Sequence, residues 1–127
     1  MSPQPQNHPS KPRILLVEDE VLIALLIEDA LEAHGFQVLG PCQTVLQAMS
    51  QLSIPDCCDA VVLDASLRNE SALPVARALL ELGVPFVVTT GYSLSQLPAE
   101  LTVAPILAKP VNTKELIGHL RRLLSIG

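Results

Sequence analysis

Basic runs, membrane-length apolar runs and paired cysteines are all missing from this chain of 127 residues. Lys and Arg number 8 against 13 Asp and Glu, a formal net charge of −5. No segment gathers the cations into a stripe. That argues against nucleic acid as a partner, because neutralising phosphates needs a basic surface. No apolar run is long enough to span a bilayer, and the N-terminus lacks the basic-then-apolar order of a secretory signal. We therefore expect no membrane partner and a cytoplasmic location. The three cysteines, Cys42, Cys57 and Cys58, are odd in number and two are adjacent. That fits neither a disulfide framework nor a spaced zinc motif, so reduced thiols are expected.

What is present is apolar material in short blocks. Hydrophobic residues make up 49% of the chain, enough for one domain with a real core. Residues 1–12, rich in Pro and polar side chains, are expected to form a disordered lead-in, with His8 solvated. Residues 13–127 then alternate between two periodicities. Short apolar runs at 13–17, 36–40, 60–64, 85–90 and 105–108 read as strands. Segments 18–35, 44–52, 72–83 and 112–125 read as helices. Leu46 and Met49, and more weakly Leu52, are expected to face inward from the second helix. Pro74 is tolerable only in a first turn. Residues 93–101 make a poor helix, broken near Pro98. Asn112 and Glu115 suit a capping-box start, and Arg121 and Arg122 suit a C-terminal end. His119, on that last helix, reads as a surface or boundary residue.

Five strand-helix pairs predict an α/β fold with a doubly wound, five-stranded parallel sheet. Near-continuous apolar strands suit a sheet covered on both faces. In such folds ligands bind outside the carboxyl ends of the strands, at the switch in strand order. The strand ends are therefore where function should be sought.

The first strand ends in Glu18, Asp19 and Glu20, the third in Asp64, the fourth in Thr89, Thr90 and Gly91, and the fifth in Lys109 and Pro110. Taken singly, each is as well explained as a helix cap, a turn former or a solvated side chain. Together they bring carboxylates, a hydroxyl and an ammonium to one end of one sheet. Crowded carboxylates disfavour one another's ionisation, and a divalent cation removes that repulsion. An all-oxygen set selects a hard ion such as Mg²⁺. Lys109 can offset charge on a phosphoryl group, the Thr90 hydroxyl can donate to it, and Asp64 can act as the nucleophile that forms an acyl phosphate.

With "LLVEDE", "VVLDAS", "VVTTGY" and "LAKP" in this order, the chain resembles the receiver domains of two-component response regulators, over about residues 13–124. The resemblance implies the flavodoxin-like (βα)5 fold. It implies Asp64 as phosphoacceptor, Asp19 as a direct Mg²⁺ ligand, Glu18 acting through water, and Ser66 lending a backbone carbonyl to the metal. It further implies phosphate contacts from Ala65, Thr90, Gly91 and Lys109, and a cis Lys109–Pro110 bond. More narrowly, residues 67–93 look like the single-domain receivers of the FAT GUY subgroup, with Thr90-Gly91-Tyr92 in the motif. Departures stand at Glu18, where Asp is usual, and at Ile106, where an aromatic usually couples to the switch threonine. Tyr92 is a candidate substitute, and a partly buried loop tyrosine is the plainer alternative. Thr89 competes with Thr90, because neighbouring strand residues face opposite ways and only one should reach the site.

The function implied is Mg²⁺-dependent transfer of a phosphoryl group from a phosphohistidine to Asp64, with signalling through protein contacts. The implied partners are a sensor histidine kinase or histidine phosphotransfer protein and a downstream protein, with the chain a monomer or weak homodimer. No output domain is expected, and catalysis is limited to the chain's own phosphorylation and dephosphorylation. The alternative is a receiver-like binding module that is never phosphorylated. A haloacid-dehalogenase-type enzyme needs a second Asp two residues after the nucleophile, where Ser66 stands. A flavodoxin-like flavin carrier needs a phosphate loop where Glu18–Glu20 would repel one.

Overall fold

A computed structural model describes residues 11–126. The lead-in expected over 1–12 lies, apart from Lys11 and Pro12, outside the described residues, as does His8. The elements run β1 (Arg13–Val17), α1 (Val21–Ala33), β2 (Gln37–Cys42), α2 (Val45–Leu52), β3 (Ala60–Asp64), β4 (Ser66–Leu67), β5 (Glu70–Ser71) and α3 (Leu73–Leu82). They continue with β6 (Phe86–Thr90), a 3₁₀ turn (Leu94–Gln96), α4 (Ala99–Thr102), β7 (Ile106–Ala108) and α5 (Thr113–Leu123).

Five strands form one parallel sheet in the order β2-β1-β3-β6-β7. The alternation of each strand splits its side chains between two cores. Leu15, Val17, Val61, Leu63 and Val88 meet Ala48, Leu52, Val75, Ala76 and Leu79 from α2 and α3. On the other face, Ile14, Leu16, Val62 and Val87 meet Ala24, Ile27 and Leu31 of α1 and Leu116, Ile117 and Leu120 of α5. Leu79 and Leu120 are fully buried, and truncating either to Ala should cost about 2–5 kcal/mol. The chain leaves β1 toward β2 on one side and returns to β3 on the other, so the switch in strand order lies between β1 and β3.

Several local expectations change. α1 starts at Val21, because residues 18–20 first turn the chain out of the sheet. β2 continues to Cys42 through Gly40, whose φ of +95° and close approach to Leu16 O, 2.7 Å from where a Cβ would sit, leave no room for a side chain. Leu46 is 76% exposed, so it does not face inward as expected. Thr44 accepts from Gln47 N and sets the helical phase of α2, and that phase buries Ala48 and Leu52 and half-buries Met49. Pro74 sits in the first turn of α3, and Gly83 closes that helix in the left-handed region. Residues 93–101 break at Pro98 as expected. Asn112 caps α5 by accepting from Glu115 N, and Arg121 and Arg122 lie in its last turn. His119 is half-buried, with Nδ1 3.0 Å from Arg122 Nη2.

Candidate functional site

At the carboxyl end of β1 and β3 the chain places four acids. One carboxylate oxygen from each of Glu18, Asp19, Glu20 and Asp64 lies within 4.8 Å of the others. Glu18 and Asp64 are buried, at 1% and 4% exposure, because each follows directly on four buried apolar strand residues, 14–17 and 60–63. Asp19 is half-buried and Glu20 exposed.

Lys109, delivered by β7, enters this cluster. Its Nζ donates to Asp64 Oδ2 at 2.9 Å, to Glu20 Oε2 at 3.0 Å and to Glu18 Oε2 at 3.4 Å. Burial alone would lower the Lys109 pKa, but the hydrogen bonds to Asp64 and Glu20 outweigh it and the pKa is raised. The ammonium is therefore held charged. One cation faces four acids, and the balance shows at Glu18. Desolvation pushes its carboxyl up to about 7, the Asp64 side chain adding to the rise and the Glu20 N–H and Lys109 opposing it. Glu18 Oε2 accepts from Glu20 N at 3.1 Å, while Oε1 is buried, makes no hydrogen bond and lies 3.3 Å from Lys109 Nζ as its ion pair. An excess of acidic oxygens around one shared ammonium is what a hard divalent cation fits, so Glu18, Asp19 and Asp64 could hold Mg²⁺, with Glu20 beside them.

The rest of the expected site is near by. Asp64 Oδ1 accepts from Ser66 N at 3.3 Å. Thr89 and Thr90 are both buried. The register sets Thr89 directly across from Asp64 and Thr90 one step further along β6. Thr90 Oγ1 accepts from Tyr92 N at 2.9 Å, which ties it to the turn bordering the site, while Thr89 Oγ1 is buried without a partner. Gly91, Tyr92 and Ser66 line one open depression with Asp64 and Lys109. Tyr92 is 54% exposed, not the partly buried loop residue of the plainer alternative. Ile106 packs against the core on the α3 face. The Lys109–Pro110 peptide is cis, as the resemblance implied, and Gly40–Pro41 is cis as well.

Two features escaped the sequence. A β4–β5 hairpin follows Asp64 directly, with Arg68 and Asn69 at its tip. Arg68 N donates to Asp19 Oδ2 at 2.9 Å and Arg68 Nη2 to Gln43 Oε1 at 2.9 Å. Each strand is only two residues long, too short for a periodicity signal. Glu20 was visible in "EDE", but its hold on Lys109 spans 89 positions of sequence and leaves no local mark.

A doubly wound parallel sheet with a crowded acidic site at its switch point puts the acids where α/β proteins of this class bind their ligands. No family model matches the chain. Solved structures do. SdrG from Sphingomonas melonis Fr1 is 36% identical with a TM-score of 0.78, covering 91% of this chain and 98% of that one. A response regulator receiver protein from Sinorhizobium medicae WSM419 is 27% identical with a TM-score of 0.77, covering 91% and 95%. The transcriptional regulatory protein CpxR of Escherichia coli K12 is 30% identical over 116 residues, 88% of this chain and 49% of CpxR. The chain spans about half the length of the curated relatives it matches. It belongs to the response regulator receiver family of two-component signalling. The narrower FAT GUY likeness rests on its Thr90-Gly91-Tyr92 motif, and none of these names carries it. Among the described residues no helix is long and apolar enough to cross a membrane.

Proposed function

We propose that the chain is a phosphoacceptor receiver of a phosphorelay, taking a phosphoryl group from a phosphohistidine onto Asp64. The observation that carries this is the meeting of Lys109 Nζ and Asp64 Oδ2 at 2.9 Å inside a cluster of four acids. A carboxylate oxygen of Asp64 attacks phosphorus, the P–O bond forms, the P–N bond breaks, and the imidazole leaves with the electron pair. Bound Mg²⁺ would supply the positive charge that lets acidic oxygens and phosphoryl oxygens share one site. Lys109 moves its donor from Asp64 to a phosphoryl oxygen, a charge already poised where negative charge develops. The N–H groups of Ser66 and Gly91 and a hydroxyl of β6 border the remaining oxygens, whereas the Ala65 N–H, expected to contact phosphate, donates to Thr89 O at 2.9 Å within the sheet. Thr90 is the switch hydroxyl: it gives up the Tyr92 N–H when it turns to the phosphoryl group, and Tyr92 moves with it in place of a fifth-strand aromatic at Ile106. A BeF3-activated conformation has been solved for SdrG, which is 36% identical. Trifluoroberyllate is tetrahedral and anionic like a phosphoryl group, which supports a similar chemistry here.

A donor protein needs a surface beside Asp64. Val21, Leu22, Leu25 and Leu26 are all at least half exposed on the outer face of α1 and start one residue after Glu20. An apolar strip of this kind marks a protein contact. We assign the kinase or phosphotransfer partner to it and propose that output passes through protein contacts of the 92–105 region. The test is intact mass after incubation with Mg²⁺ and acetyl phosphate. One added phosphoryl group, absent in Asp64→Ala and without metal, is expected. No gain, from acetyl phosphate and from a phosphohistidine donor alike, would leave a binding module that is not phosphorylated.

A further inference from the structure

We propose that Arg68 receives the phosphoryl donor at the mouth of the site, its guanidinium binding the phosphoryl oxygens before Asp64 takes phosphorus. The proposal rests on the phosphoacceptor reading above and names a residue for donor capture, separate from bond breaking.

Lys109 cannot play this part in the resting protein. An ammonium has three N–H donors, and Glu18, Glu20 and Asp64 occupy all three. Its side chain is only 17% exposed. A phosphoryl dianion arriving from solvent meets an acidic rim, formed by Asp19 and Glu20 over the buried Asp64. The other cation lining the same depression is Arg68. Arg68 is exposed, and its guanidinium carries five N–H donors, of which one, on Nη2, is given to Gln43 Oε1. Free donors in a planar fork match phosphoryl oxygens in pairs.

The backbone holds Arg68 there against its own preference. Arg68 has φ of 48° and Asn69 of 66°, the left-handed pair of a two-residue hairpin. Asn tolerates that region and Arg does so poorly. Three tethers keep the turn in place: the Ser66–Ser71 and Leu67–Glu70 pairing, Arg68 N on Asp19 Oδ2, and the Gln43 contact. A strained residue kept beside a reactive carboxylate points to use.

The plain rival is that Arg68 only clasps the hairpin to Gln43. Phosphorylation rates with acetyl phosphate and Mg²⁺ separate the two, measured against donor concentration at low and high ionic strength for wild type, Arg68→Ala, Arg68→Lys and Gln43→Ala. We expect Arg68→Ala to lower the second-order rate constant about fivefold at low salt, through weaker donor binding at an unchanged maximal rate. Arg68→Lys should recover part of the loss, and the gap should close in high salt. Gln43→Ala, which frees the guanidinium, should match or exceed wild type. Equal rates for Arg68→Ala and a phosphorylating wild type would overturn the proposal alone, as would a fall in Gln43→Ala equal to that in Arg68→Ala. A wild type that takes no phosphoryl group under any condition would overturn the phosphoacceptor reading and this proposal with it.

Discussion

The two ends of the sheet each carry one cation among acids, and they differ in how far that cation goes. At the amino end, Arg13 meets Asp59 and Asp56. Its N–H donates to Asp59 Oδ2 at 2.7 Å, its Nε to the same oxygen at 3.3 Å, and its Nη2 to Asp59 Oδ1 at 3.2 Å. Nη1 and Nη2 also reach Asp56 O and Oδ1. The Asp59 side chain, followed by that of Asp56, holds the Arg13 guanidinium more firmly protonated still, and Arg13 in turn holds the Asp59 carboxyl below its ordinary range. One cation closes on two acids, and all four side-chain oxygens but one of Asp56 are engaged. At the carboxyl end one cation faces four acids, and the buried Glu18 shares the Lys109 ammonium with Glu20 and Asp64. The amino-end cluster is left with one acid in excess, two against one cation, and the carboxyl-end cluster with three, four against one. The larger excess marks the cluster that waits for a ligand.

The comparison breaks first at Lys109. Lys109→Ala should cut acetyl-phosphate-driven phosphorylation by about 100-fold or more, read by intact mass over time, whereas Arg13→Ala should leave that rate unchanged and lower only the thermal midpoint. Next, Leu22→Asp with Leu25→Asp should slow transfer from a phosphohistidine protein by about tenfold or more, with acetyl phosphate as the control that stays level. Equal losses with both donors would place the defect in the site and not on α1.

Metal and pH sharpen the contrast. Mg²⁺ should raise the thermal midpoint, by about 2.7 kcal/mol of added stability at a hundred times its dissociation constant. Glu18→Gln should stabilise the metal-free protein and blunt that response. A carboxyl raised to about 7 binds its proton more tightly folded than unfolded. Its contribution to stability is full below the unfolded value of 4.5 and is lost as pH rises through about 7. Asp59 has the opposite sign: its contribution is present above its ordinary value and lost as pH falls through its lowered folded value. Melting curves of the metal-free protein from acid to neutral pH should show both slopes. Glu18→Gln should remove the neutral one and Asp59→Asn the acid one. The smallest effect belongs to Asn112→Ala, which loses a cap and about 1 kcal/mol while leaving phosphorylation intact.

Much of the site could be read from strand ends. Glu18, Asp19, Asp64, Thr90 and Lys109 each follow an apolar run that is obliged to be a buried strand, and parallel strands bring their carboxyl ends together. Arg68 could not be read that way. It sits on a two-residue turn, whose position depends on Asp19, 49 residues earlier. Leu46 was misplaced because the Thr44 cap, and not hydrophobicity, sets where the helical repeat begins.

The sequence by itself determined the alternation of strands and helices, the doubly covered sheet and the acids at its carboxyl end, since apolar periodicity and strand polarity are local properties that survive any packing detail. Only the tertiary structure decided which acids lie within reach of one ammonium, that the buried Glu18 carboxylate must share it, and that Arg68 stands at the mouth with free donors. Those are differences of an ångström or two between side chains far apart in sequence, and they are fixed by how the helices seat on the sheet.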